Sequence, residues 1–207
     1  MIYRGADEAI RLMNRRNLKA FGRLKLANFD EITLVRAVSE VYEGAIEDAK
    51  QRYYEIAVDA YIAALYLSGM DIREATGMAD RRITRDWVEE MLEEVDYVMM
   101  YRFIDEAERK KARLIEALSV APNKQKEIQK ALKYWAFQIG QFAITFVDAA
   151  RLMGFKDGGI EEVMWNTERD EKVCEICNDL DGKIFPIDKA PHKQHPNCRC
   201  YLTPVIP

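Results

Sequence analysis

All four cysteines (Cys174, Cys177, Cys198, Cys200) and both histidines (His192, His195) lie between residues 174 and 200, and the preceding 173 residues contain neither type. Such a cluster points to metal coordination. A tetrahedral zinc ion takes four nitrogen or sulfur donors at about 2.0–2.3 Å. Two residues between thiolates let a tight turn aim both sulfurs at one point, and a second donor pair returns after a loop of about 15–20 residues. Here Cys174-x2-Cys177 is followed, after 17 residues, by His195-x2-Cys198. Three thiolates and one imidazole are therefore available: Cys174, Cys177, His195 and Cys198. Cys200 competes with His195 for the fourth place. An extended Cys198–Cys200 segment puts both sulfurs on one face with Arg199 turned away. A tight turn from His195 to Cys198 favours the mixed site instead. His192 reads as a loop residue.

Other uses of these thiols fit less well. The N-terminus has no apolar signal core, so a reducing compartment is expected, which disfavours disulfides. A redox C-x2-C belongs after a strand and at the start of a helix in an α/β fold, a setting this tail does not offer. Catalytic zinc keeps an open position and a nearby base. Five donors, mostly thiolates, build a closed structural site more readily, and nothing in the spacing of Glu161, Glu162, Glu168, Asp170 and Glu171 selects a base. With no Gly-rich phosphate loop, H-E-x-x-H or G-x-S-x-G, no enzyme is expected.

The elements that position these donors follow from pattern. Val163, Trp165 and Thr167 alternate as a strand does, Asp181-Gly182 is a hairpin signal, Lys183-Ile184-Phe185 begins a return strand, and a last strand runs through Leu202. Five of the six prolines lie beyond residue 185. The chain thus divides into a helical body, 1–153, and a Cys/His-rich metal-binding tail, 154–207, in which bound zinc would supply folding free energy that a small core lacks. In the body, residues 6–28 form an apolar stripe (Ile10, Met13, Leu18, Phe21, Leu24). Residues 31–68 form a second (Val35, Val38, Tyr42, Ala45, Ala49, Ile56, Ala60, Ala63, Leu67), closed by Gly69. A short piece at 72–78 precedes a third long helix, N-capped by Thr84 and running through Trp87, Met91, Val95, Val98, Leu114 and Leu118. After Pro122 a fourth helix spans 124–153 with Leu132, Trp135, Ile139, Phe142, Phe146 and Ala149, ending in a Schellman turn at Gly154 with Phe155 packed back. The fold class is mainly α: an antiparallel bundle of about four long helices followed by a small α+β, β-hairpin zinc-binding tail.

Hydrophobic residues make up 49% of the chain and charged residues 32%, with a net charge of −4. That balance announces neither a nucleic-acid binder nor a membrane-surface protein, and no apolar run approaches a bilayer span. Locally the charge is uneven. Arg15, Arg16, Lys19 and Arg23 give the first helix a basic character that suits phosphates or an acidic protein face, and Arg109, Lys110, Lys111 and Arg113 form a second cluster. An ordinary solvated helix surface is the favoured reading of both, with Asp105, Glu106 and Glu108 beside the second cluster, since phosphate binding needs a continuous basic face. Tyr97, Tyr101, Tyr134, Trp87 and Trp135 read as core aromatics.

The tail also resembles a known family. Trp165-Asn166-Thr167-x2-Asp170-x2-Val173-Cys174-x2-Cys177, Leu180-Asp181-Gly182-Lys183-x-Phe185 and His195-Pro196-Asn197-Cys198-Arg199-Cys200 are similar to the C-terminal motif of the Mu F-like head-morphogenesis proteins of tailed phages and prophages. The likeness covers about residues 165–204. It is carried more weakly by Phe103-x2-Glu106-x2-Arg109-x3-Arg113-Leu114 and the segment from Trp135 to Asp148. It implies a minor head (capsid) protein of the virion, present in few copies and acting at the portal vertex. Assembly would take place in the host cytoplasm, with portal and other head proteins as partners and packaged DNA as a further contact. No membrane is implied, and self-association stays open. In that family the motif is taken to bind metal, which carries over onto Cys174, Cys177, His195, Cys198 and Cys200. Some relatives add a toxin-like enzyme domain; the chain stops just past the motif, so none is expected. The alternative is a zinc-module nucleic-acid binder that uses Arg15, Arg16, Lys19 and Arg23.

Overall fold

The computed structural model describes residues 4–25, 30–93, 102–168, 173–195 and 198–206. Among them are seven α-helices: α1 (Arg4–Gly22), α2 (Glu31–Leu67), α3 (Ile72–Arg82), α4 (Arg85–Glu93), α5 (Phe103–Val120), α6 (Lys124–Asp157) and α7 (Glu175–Leu180). Three strands complete the fold: β1 (Glu162–Asn166), β2 (Ile184–Pro186) and β3 (Tyr201–Pro204). The expected mainly α bundle with a small strand-bearing tail is what forms.

The two longest helices, α2 and α6, run parallel and share the central seam. Tyr42 meets Trp135 edge-on at 5.5 Å, Tyr53 stacks on Phe146 at 4.6 Å, and the Tyr61 hydroxyl donates to Asp157 at 2.6 Å, so both sequences advance together. α1 and α5 run antiparallel to this pair. On the α1 side, Phe21 packs edge-on against Tyr42 and Arg16 pairs with Asp48. On the α5 side, Phe103 lies 5.0 Å from Phe142, 5.5 Å from Trp135 and 5.9 Å from Tyr53. Burying each such ring contributes on the order of 1.5–3 kcal/mol, which explains why long helices of ordinary propensity hold together here.

Several boundaries differ from expectation. The stripe assigned to α2 has a strict seven-residue component (35, 42, 49, 56, 63), and such a repeat drifts about 20° per heptad on a straight helix. Its middle is buried, whereas Val35, Ala63 and Leu67 are exposed. Tyr53, Ala57, Tyr61, Ala64 and Leu65 take over the buried face. Leu18 of α1 is also exposed. The third helix is not continuous: α4 ends at Glu93 and Arg102 is extended (φ −82°, ψ 149°) ahead of α5. Val95, Tyr97, Val98 and Tyr101 lie outside the described residues. Gly154 does not end α6 either. The helix runs on to Asp157, and the Schellman pair falls one turn later, with Gly159 N–H to Lys156 C=O and Ile160 N–H to Phe155 C=O. Gly159 supplies the left-handed residue (φ 77°), and Phe155 packs on Ile160 as that motif requires. Gly154 serves packing instead, since a Cβ there would sit 2.7 Å from Ala64 Cβ and 2.8 Å from the Tyr61 carbonyl. The caps at Gly69 (φ 93°) and Thr84, whose Oγ accepts from Trp87 N–H at 3.1 Å, form as expected.

The tail is a three-stranded antiparallel sheet, β2-β1-β3, with Met164 opposite both Ile184 and Thr203. Val163, Trp165 and Thr167 are buried, the alternation read from the sequence. The Asp181-Gly182 turn joins α7, not a strand, to β2. Gly182 (φ 76°) donates to Trp165 C=O at 2.8 Å, and the Asp181 carboxylate accepts from Thr167 N–H at 2.9 Å. The sheet sits on the last turns of α6: Phe155, Ile160, Val163 and Ile187 form one apolar cluster with Ala64 of α2.

Candidate metal centre

The first donor pair is built by α7. Cys174 is its N-cap, and its Sγ accepts from the Cys177 N–H at 3.4 Å while its C=O accepts from Asn178 N–H at 2.9 Å. This folds the C-x2-C segment so that its two sulfurs lie within 4.8 Å of each other. The second pair comes from the loop before β3, where Cys198 N–H donates to His195 C=O at 3.2 Å. Cys198 and Cys200 are buried on either side of exposed Arg199.

The donor atoms meet around Cys177. Its sulfur is 3.6 Å from His195 Nε2 and 3.6 Å from Cys198 Sγ. The donors of Cys174, Cys177 and His195 lie within 4.8 Å of one another, as do those of Cys177, Cys198 and Cys200. With bonds of about 2.0–2.3 Å, tetrahedral coordination puts neighbouring donors about 3.5–3.8 Å apart, so the residues fit the group: this cluster could bind a metal ion. Burial, then neighbouring thiols, pushes Cys177 well above the usual thiol range; burial, then Cys198, pushes Cys200 up to about 11. A cation would supply the charge that keeps such thiolates deprotonated. Trp165, Val173, Leu180 and Phe185 pack around the sulfurs and shield them from water.

His192 is an exposed loop residue outside both donor groups. Glu161, Glu162 and Glu168 are exposed, and Asp170, Glu171, Pro196 and Asn197 lie outside the described residues. Arg15, Lys19 and Arg23 are exposed on α1 and the turn after it, and Arg16 is paired with Asp48. Sequence reasoning did not single out the side chains that seat the centre on α6. Arg151 donates to Leu202 C=O at 3.1 Å, Lys156 pairs with Asp188 at 2.5 Å, and Lys193 pairs with Asp148 at 3.2 Å. Their partners lie 32 to 51 residues away, so no local spacing reveals them. Between α6 and the sheet runs a groove of about 660 Å³ lined by Leu152, Met153, Trp165, Pro191 and Leu202.

Residues 141–203 match the model of the family described as Phage Mu protein F like protein. The resemblance read from the tail motif is thus borne out over that segment. No curated protein and no solved structure matches the chain. No helix among the described residues is long and apolar enough to cross a membrane.

Proposed function

We infer that the protein is a minor head protein of a tailed phage or prophage, acting in head morphogenesis at the portal vertex without catalysis of its own. Two parts divide the work. The helical body, residues 1–153, docks on portal and other head proteins. The tail, residues 154–207, is held in shape by one structural zinc on Cys174, Cys177, His195 and Cys198, with Cys200 beside them. The protein would assemble in the host cytoplasm and remain in the virion. The observation that carries this reading is the convergence of the motif's donors on Cys177, inside the segment that matches the family.

When bound, zinc would supply only a fixed tetrahedral cross-link. The chain's own residues do the rest: Trp165 and Phe185 exclude water, α7 orients the first pair, and β3 holds the second against the sheet. Co-expression with the portal protein of the same genome tests the function. Co-purification with the portal oligomer that survives nuclease supports it. Binding to generic duplex DNA that falls steeply with salt, without portal association, would replace it with the nucleic-acid reading.

A further inference from the structure

Lys193 anchors the loop that delivers His195, Cys198 and Cys200. Lys193 is only 7% exposed at its side chain, pairs with Asp148 of α6 at 3.2 Å, and donates to the Cys200 carbonyl. An ammonium removed from water to this degree is stable only with partners, and here one partner is the helix and the other is the backbone of the donor loop. Lys193 also lies two residues before His195, so fixing it fixes the path by which the second donor pair approaches Cys177. A second cross-link of this type, Lys156–Asp188, is 62% and 72% exposed and lies ahead of the donor loop in the chain. Arg151 reaches Leu202, beyond the donors.

We propose that Lys193 is a positioning residue for the metal centre: with Asp148 it sets the donor loop against α6 in advance, and so raises metal affinity without touching the metal. The proposal rests on the metal reading above. Groups that orient metal ligands are commonly worth about 10- to 100-fold in affinity, and a loss of that size is expected here.

The test is competition for zinc between a chromophoric chelator and the full chain, as wild type, Lys193→Met, Asp148→Asn, the double variant and Lys156→Met, together with cobalt(II) absorption spectra. Lys193→Met and Asp148→Asn should each lose about 10- to 100-fold in affinity, with the double variant no worse than either. Their cobalt spectra should match wild type, because the ligand set is unchanged. Lys193→Arg should recover most of the loss, and Lys156→Met should bind as wild type. Wild-type zinc binding with Lys193→Met and Asp148→Asn both within twofold overturns the proposal and leaves the metal reading intact. An altered cobalt spectrum in Lys193→Met also overturns it, since the residue would then be shaping the ligand set itself. A wild type that holds no more zinc than Cys177→Ser overturns the metal reading, and the proposal with it.

Discussion

At the scale of single residues, side-chain type and spacing carry the donors. The four proposed ligands, Cys174, Cys177, His195 and Cys198, come from C-x2-C and H-x2-C, local patterns whose spacing is readable without the tertiary arrangement. The choice between His195 and Cys200 is not readable in this way, because Cys177 shares a donor group with each of them. Cys174→Ser and Cys198→Ser are expected to purify without zinc and to melt at lower temperature, whereas Cys200→Ser should keep a full equivalent by elemental analysis. The reverse result for Cys200→Ser and His195→Ala would exchange the two roles. Acid sensitivity belongs to this scale as well. Burial works to raise Asp157, but hydrogen bonds from Arg82 and Tyr61 outweigh it and hold its carboxyl below the usual range. Burial likewise works to raise Glu106, but hydrogen bonds from Tyr134 and Arg109 outweigh it and hold that carboxyl below the usual range. A carboxylate depressed in the folded state stabilises above its unfolded value, near pH 4, and loses that contribution as pH falls through its lower folded value. Melting temperature should therefore drop below about pH 4, and Asp157→Asn should flatten part of that fall.

Helix ends and strands form the next scale, and their legibility follows from how local each signal is. Gly69 and Thr84 cap where the sequence places them, because a cap needs only its own turn. The break between α4 and α5 is not marked, since apolar spacing of three and four continues across it, and extended Arg102 gives no compositional warning. Gly154 misled for a related reason. A glycine before an aromatic residue fits a helix ending, yet here it permits a close helix crossing, a property of the partner α2 rather than of its own segment. Gly154→Ala would press a methyl group against the Tyr61 carbonyl and Ala64. It is expected to cost about 1–3 kcal/mol, as overpacking does, read as a lower denaturant midpoint with an unchanged slope. Gly159→Ala should also destabilise, through its left-handed backbone rather than through contact.

Over the whole molecule, alternation of helix direction was legible from four amphipathic segments and short links. The direct seam between the two parallel helices was not, because no pattern in one helix names its neighbour. A chelator that strips the metal should leave the helical circular dichroism largely intact, since the aromatic seam needs no ion. Amide exchange within residues 162–204 should meanwhile lose its protection. Uniform loss of protection through α2 and α5 would instead make the metal a keystone of the entire chain. The matched segment opens at Gln141, in mid-helix, and α6, with 34 residues, is about 50 Å long. The sheet is thus mounted on the end of a stiff rod whose other end lies within the bundle. A tilt imposed on the small sheet by a neighbouring molecule would reach the bundle through α6, which packs against α1, α2 and α5.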